Sequence, residues 1–200
     1  MKIVRQVEIT PTHVIVNGQR LDVEGTGSEM LKNVYRTRIG FYPKFFKMDT
    51  LCRLGFVASE LLLQDENPNR VFDEKGRVPE GEGREDRAII VFSRLGSLCN
   101  DKDYEHTIER ADNYFPSPAV FVYTLPNIVT GELAIRNRYF GETSCYVLAE
   151  ENEALMMSVA EETLLDPMTT SMLCGWLDCE DKEHFNAKLY LMESYYVCNS

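Results

Sequence analysis

Beyond residue 50, short apolar runs alternate with segments of helical periodicity, and this pattern constrains the fold more than any other feature. Residues 88–92 form an unbroken apolar run, which is typical of a buried strand. Residues 50–63 carry apolar side chains at helical spacing, and Asp49 or Thr50 can cap that helix. The same patterns predict helices at 126–138 and 150–165, a weak helix at 101–112, and strands at 143–148, 170–177 and 187–197. This alternation predicts an α/β layer fold whose consecutive C-terminal strands add an antiparallel edge.

The first residues and one polar stretch complete the outline. Residues 3–23 are predicted to form an N-terminal β-hairpin, because Asn17-Gly18 separates two apolar-rich runs and is the strongest short hairpin signal. Residues 64–87 are rich in Asp, Glu, Pro, Gly and Asn, and we interpret them as a surface loop rather than a domain boundary. With 200 residues, the chain is expected to form a single domain over 1–200.

Charge is distributed unevenly along the chain. The net charge is −11, which argues against nonspecific binding to nucleic acid or to an anionic membrane. Residues 32–53 nevertheless hold six basic side chains against the single acid Asp49, so this segment is +5 and the remainder −16. The six are Lys32, Arg36, Arg38, Lys44, Lys47 and Arg53. Such an asymmetry indicates either an oriented encounter with an acidic partner or simply two solvated faces.

Composition also bears on location and on cofactors. No apolar run reaches the length of a membrane span and the N-terminus does not resemble a signal peptide, so we expect a cytoplasmic protein. The cysteines form no CxxC pair and are expected to be free thiols. The series Cys174, Cys179 and His184 is too loosely spaced for a zinc site, and phosphate-binding fingerprints are missing. We therefore expect neither a metal nor a cofactor.

Several segments, taken in order, resemble a known family. Residues 117–141 contain a Leu-Pro-Asn turn between two helical stretches and end on a glycine. Residues 172–178 form an apolar strand that contains Gly175-Trp176. Together with residues 45–63 and 88–96, this order resembles the N-terminal half of a β-ketoacyl synthase (3-oxoacyl-acyl-carrier-protein synthase). The resemblance covers roughly residues 40–180. It implies a single thiolase-like half with the order βαβαβαββ, a mixed sheet flanked by helices.

The resemblance also defines where the nucleophile should stand. The family places a cysteine on a strand-to-helix elbow, nine residues after the position of Gly141 and 23 before that of Leu173. Both counts arrive at Glu150, so no nucleophilic cysteine is expected there. Cys145 is the nearest thiol, but it lies inside a predicted strand, where a cysteine is normally packed. Acids at Glu150 and Glu151 also have a simple explanation, since they complement the dipole of a following helix.

The resemblance implies that the rest of the catalytic machinery is missing. The family uses two histidines, or a histidine and an asparagine, from a second thiolase-like half, and His13, His106 and His184 do not match their positions. We therefore expect a noncatalytic synthase-like subunit of a fatty-acid, aryl-polyene or polyketide pathway. Its expected partners are an active β-ketoacyl synthase or a second copy, and an acyl carrier protein. Two alternatives remain open: a synthase or malonyl decarboxylase completed by a partner chain, and a small-molecule-binding protein.

The basic segment is the predicted docking face for the carrier. Acyl carrier proteins are typically acidic, and the remainder of this chain would repel one. Four aromatic residues beside Lys44 and Lys47 offer apolar contact: Phe41, Tyr42, Phe45 and Phe46. The competing interpretation is that these aromatic side chains belong to the core and that the cations merely solvate them.

Overall fold

A mixed sheet of seven strands organises the part of the chain that the structure, a computed structural model, describes: residues 1–64, 66, 69–112 and 114–195. The strands are β1 (Lys2–Thr10), β2 (His13–Val16), β3 (Gln19–Arg20), β4 (Arg87–Ser93), β5 (Thr143–Val147), β6 (Ser171–Cys179) and β7 (Phe185–Glu193). Their order across the sheet is β3-β2-β1-β7-β6-β4-β5. β4 is parallel to both β5 and β6, whereas β7 is antiparallel to its neighbours β6 and β1.

Six helices of the described residues connect the strands. They are α1 (Gly27–Val34), α2 (Thr50–Leu63), α3 (Leu98–Glu105), α4 (Pro118–Phe121), α5 (Ile128–Asn137) and α6 (Glu153–Thr163). Of these, α2, α5 and α6 correspond to predicted helices. A π-helical turn (Tyr35–Ile39) continues α1, and short 3-10 turns occur at Phe45–Lys47 and Val122–Thr124. The path β1-α2-β4-α5-β5-α6-β6-β7 gives the predicted order βαβαβαββ. None of the described helices is long and apolar enough by itself to cross a membrane; Pro118–Thr124 and Ile128–Asn137 pass that test only as a pair bent by 102°.

Helices cover the two faces of the sheet unequally. α2 is the central helix of one face: its side chains are buried except that of Arg53, and α1 and α5 pack beside it. On the opposite face α6 packs over β4 and β6 through Met156, Ala160 and Leu164. The apolar runs of β4 and β6 follow from this arrangement, because both strands are buried on both faces. β5 lies at the edge and is mostly accessible.

The N-terminal hairpin is confirmed, and it belongs to a unit of three strands rather than two. Asn17 and Gly18 both have positive φ, at 51° and 79°, which is the backbone that a two-residue hairpin turn requires. β2 and β3 flank this turn, and a second turn at Pro11 and Thr12 joins β2 to β1. The result is a three-stranded meander that extends the sheet beyond β1.

Some element boundaries differ from the sequence prediction. α6 begins at Glu153 rather than at residue 150, because the side chain of Asn152 accepts a hydrogen bond from the Leu155 amide and caps the helix. α3 runs over Leu98–Glu105, so its predicted span of 101–112 was placed too late. α1 was not predicted. β7 ends at Glu193, and the last two residues of its predicted range lie outside the described residues.

Arginines fasten the described residues of the 64–87 loop to the body of the fold. Arg136 of α5 donates to the carbonyl of Gly76, and Arg138 donates to that of Val78 at 2.6 Å. Arg87, which is only 1% exposed, forms a two-pronged ion pair with Glu66. The described part of the loop lies at the surface, and buried and half-buried guanidinium groups hold it at several points.

Candidate functional site

The elbow between β5 and α6 is where the resemblance places a nucleophile. Glu150 lies in the bend after β5, three residues before the first residue of α6, and its side chain is exposed. The helix start is fixed by the Asn152 cap and by Glu153, whose carboxylate lies 3.4 Å from both the Lys188 ammonium and the Tyr190 hydroxyl of β7. The elbow therefore presents a carboxylate near a helix N-terminus, where the dipole favours negative charge.

Cys145, the alternative nucleophile, lies within β5 opposite Val91 of β4. Its thiol is half-buried and donates a hydrogen bond to the carbonyl of Pro126 at 3.4 Å. Burial raises the pKa of the Cys145 thiol, whereas a nucleophilic cysteine requires a lowered pKa. This environment favours a packed, neutral thiol. The absence of a catalytic cysteine stays a prediction.

The remaining candidate ligands are spread over the fold. His13 lies on β2, His106 follows α3, and His184 lies in the turn between β6 and β7. Cys174 and Cys179 belong to different hydrophobic clusters on opposite faces of β6, so they do not converge on one ion. Among the described residues, no group of three or more His, Cys, Asp or Glu side chains is arranged to hold a metal.

Three of the predicted docking residues line one cavity of about 330 Å³ at the N-terminal end of α2. These are Lys32, Lys47 and Arg53, and Lys182 from the turn between β6 and β7 joins them. Lys32 pairs with Glu29 at 2.5 Å, and Arg53 donates to the carbonyl of Phe46 at 2.9 Å. The fold thus brings four cations from four structural elements to one opening, which Asp49 and Asp103 also line. Lys182 could not be predicted as a member of this group, because it is more than a hundred residues from the other three cations in the chain.

Arg36, Lys44 and Arg38 have different surroundings. Arg36 lies over the ring of Phe46, 5.5 Å from its centroid, and so borders the same surface. Lys44 lines an adjoining cavity of about 350 Å³ with Lys47, to which Lys75 and Arg77 contribute further positive charge. Arg38 lies apart, on a cavity that the N-terminal hairpin lines. Five of the six predicted residues therefore share one surface, which we call the basic surface, and Arg38 does not.

The four aromatic residues of this segment divide between core and surface. Tyr42 and Phe45 are buried; Phe45 stacks on Tyr35 with ring centroids 3.9 Å apart, and Tyr42 stacks on Phe56 at 5.0 Å. Phe41 and Phe46 are 59% and 47% exposed. The interpretation that these aromatic side chains belong to the core is thus right for Tyr42 and Phe45. Phe41 and Phe46 remain accessible beside the cations.

A buried polar network lies beneath the basic surface and contacts it through Lys44. Glu132 of α5 is 2% exposed and lies 2.5 Å from the ammonium of Lys44, and it accepts hydrogen bonds from the hydroxyls of Tyr42 and Tyr123. Burial raises the pKa of Tyr42 to about 12, so it remains a neutral donor. Beside it, Glu60 of α2 forms an ion pair with Arg136. Glu60, an acid beside the apolar residues that end α2, was the sequence signal for this network.

The open edge of β5 is the second notable surface. Glu142 and Leu148 use their backbone groups to bond to β4, so by alternation the backbone groups of Thr143, Cys145 and Val147 face away from it. Exposed apolar side chains accompany this edge, including Phe140 at 66%, Val147 at 57% and Leu125 at 47%. An exposed strand edge with apolar neighbours is a surface that favours pairing with another chain.

No family model matches this chain, and no curated protein sequence matches it significantly. Solved structures do resemble it. The ishigamide ketosynthase/chain length factor superposes with a TM-score of 0.67 and 17% identity, covering 98% of this chain and 63% of that one. A ketosynthase in complex with its chain length factor from Xenorhabdus doucetiae superposes with a TM-score of 0.59 and 16% identity. This match covers 96% of this chain and 78% of that one. A type II polyketide synthase acyl-carrier protein in complex with its ketosynthase bound to the hexaketide superposes with a TM-score of 0.62 and 14% identity. This match covers 97% of this chain and 62% of that one.

The coverage and the sequence identity of these matches limit what can be concluded from them. The chain spans less than two thirds of the first and third of these proteins, so it matches one part of them. Identities of 14–17% establish a shared fold rather than a shared activity. This chain therefore has the thiolase-like fold of the ketosynthase and chain length factor structures, as the resemblance in its sequence predicted.

Proposed function

We propose that this protein is a noncatalytic β-ketoacyl-synthase-like subunit that pairs with an active synthase, or with itself, in a fatty-acid, aryl-polyene or polyketide-type pathway of the cytoplasm. The observation that carries the proposal is the elbow after β5. In a thiolase-like fold this is the position for a nucleophilic cysteine, and here it holds Glu150. The nearest thiol, Cys145, is buried enough that its pKa is raised.

Pairing is supported by the edge of β5. The backbone groups that face away from β4 and the exposed Phe140 and Val147 make this edge suited to a second chain. Pairing is also supported by exposed apolar side chains at α6, which packs on the opposite face of the sheet. Leu155 lies on this helix and Leu165 lies just beyond it. Similar structures include a ketosynthase in complex with its chain length factor, which is a precedent for two such chains in one assembly.

A condensation assay tests the proposal. The purified chain is incubated with malonyl and acyl thioesters of a carrier protein, alone and with ketosynthases encoded beside its gene. We expect no condensation and no decarboxylation by the chain alone, and a stable complex with one of those synthases. The matched variant is Glu150→Gln. Turnover by the isolated chain that disappears in Glu150→Gln would establish the decarboxylase alternative and overturn the proposal.

We further propose that an acidic acyl carrier protein docks on the basic surface. Lys32, Lys47 and Arg53 lie around one opening there, and the exposed Phe46 offers apolar contact. Lys44 is a poor residue for a test, because a glutamate at that position would face the buried carboxylate of Glu132 and destabilise the fold. Lys47 is exposed and lines both cavities, so its charge can be reversed with less structural consequence.

Lys47→Glu is expected to slow association with a holo acyl carrier protein by roughly three- to tenfold at low salt, because it reverses the local field that steers the carrier. The difference should shrink as salt screens that field. Stopped-flow fluorescence measures the association rate and its dependence on salt concentration. Arg20→Glu is the matched control, since Arg20 is an exposed cation on β3 and the net charge changes equally. Equal slowing in both variants, or none in Lys47→Glu, would contradict docking at this surface.

A further inference from the structure

The first turns of three helices meet at the cavity of about 330 Å³ beside Lys47 and Arg53. Ser28 is the second residue of α1, Thr50 the first of α2, and Asn100 the third of α3, and all three line this cavity. The N-terminal end of a helix carries partial positive charge, which favours a nearby anion. Three such ends around one cavity act on the same ligand, so their fields add.

Cations outnumber acids in the lining of this cavity by four to two. Within the part of the chain that the structure describes, Lys47 and Lys182 have no ion-pair partner, so their charges are available to a ligand. The backbone of Lys182 is held at the cavity, because its carbonyl accepts a hydrogen bond from the Ser28 amide at 2.9 Å. Of the two acids, Asp49 is already engaged, since its carboxylate accepts from the Cys52 amide and caps α2. The balance of charge therefore favours an anion.

Two buried hydroxyl groups in the wall of this cavity lack a partner. Ser28 and Thr50 are only 7% and 5% exposed. Neither hydroxyl makes a hydrogen bond with any other described residue. A buried polar group without a partner lowers stability, so such groups normally bond to water or to a ligand. Both hydroxyls lie in the first turn of a helix and beside cations, where they can donate to the oxygen atoms of an anion.

We propose that this cavity binds a phosphate group, either as inorganic phosphate or as part of a small phosphomonoester. Lys47, Arg53 and Lys182 supply the positive charge, and the hydroxyls of Ser28 and Thr50 donate to phosphate oxygens. A phosphomonoester carries nearly two negative charges at neutral pH, which matches the excess of cations over acids. The cavity is at the lower end of the range for small-ligand sites, roughly 300–1,000 Å³, so a phosphate group with a small organic part fits.

Isothermal titration calorimetry on the full chain tests the inference, and it contains no carrier protein, so its result is independent of the proposed docking. Inorganic phosphate and glycerol 3-phosphate are titrated separately at constant ionic strength, and we expect one site per chain. Tighter binding of glycerol 3-phosphate would assign the site to a monoester, and equal or weaker binding to the free ion. Lys182→Gln and Thr50→Val should each weaken binding by about tenfold, because each removes a donor to a charged group. Lys2→Gln is the matched control, since Lys2 is an exposed cation on β1.

Three outcomes would overturn the inference. The first is no binding of either probe at millimolar concentration. The second is equal weakening in Lys182→Gln and Lys2→Gln, which would show only nonspecific attraction to positive charge. The third is unchanged binding in Thr50→Val, which would show that the buried hydroxyl does not contact the ligand. Urea unfolding in phosphate-free buffer checks the folding of Thr50→Val, and we expect an unchanged midpoint because its hydroxyl has no partner in the protein. If that variant does not fold, Ser28→Ala gives the same test.

Discussion

Replacing Arg136 by methionine is expected to lower the free energy of unfolding by about 3–5 kcal/mol, because it leaves a buried carboxylate without its main partner. Arg136 is 1% exposed and donates to both oxygens of Glu60, at 3.2 and 3.1 Å. It also donates to the carbonyls of Phe41 and Gly76 and stacks 3.5 Å from the ring centroid of Phe72. The side chain therefore joins α2, α5 and the 64–87 loop.

Equilibrium unfolding in urea measures this loss as a lower midpoint with an unchanged slope. The matched control is Arg110→Met, because Arg110 forms an ion pair with Asp112 in which the two side chains are 66% and 70% exposed. Exposed pairs contribute at most about 1 kcal/mol. Adding Glu60→Gln to Arg136→Met should restore part of the stability, since the uncompensated charge is removed with its partner. Equal losses in the Arg136 and Arg110 variants would contradict the buried network.

Val147→Asp is expected to weaken association with a partner synthase, or self-association, by about tenfold or more. Val147 is 57% exposed on β5, with its backbone directed to the open edge, so the substitution places a charge within the proposed interface. Analytical ultracentrifugation measures the shift from complex to free subunit. Val71→Asp is the matched control, because Val71 is 66% exposed but belongs to the 64–87 loop. If both variants associate like the unmodified chain, β5 is not the interface.

Local patterns in the sequence were sufficient for the frame of the fold. The apolar run of β4, the helical spacing of α2 and the Asn17-Gly18 turn each depend on neighbouring residues, and each prediction was confirmed. α1 was missed because it is only eight residues long and begins with a glycine and a serine, Gly27 and Ser28. The start of α6 was misplaced because a cap by Asn152 cannot be distinguished in the sequence from the acids around it.

The composition of the candidate site was less accessible from the sequence. Five residues of the basic surface are close together in the chain, so their charge was visible as a cluster. Lys75, Arg77 and Lys182 come from remote segments, and only the packing of the loop and of the β6–β7 turn brings them near. Glu60 and Arg136 are 76 residues apart, and nothing local in either partner identifies the other.

The open edge of β5 has a consequence for the cell as well as for the assembly. A strand with unsatisfied backbone groups and exposed apolar side chains can add to any similar edge, including that of another newly made copy. Copies synthesised in excess of whatever covers β5 would therefore aggregate or be degraded by quality-control proteases. The abundance of this protein would then follow that of whichever chain covers β5, and synthesis of the two chains in matched amounts would protect both.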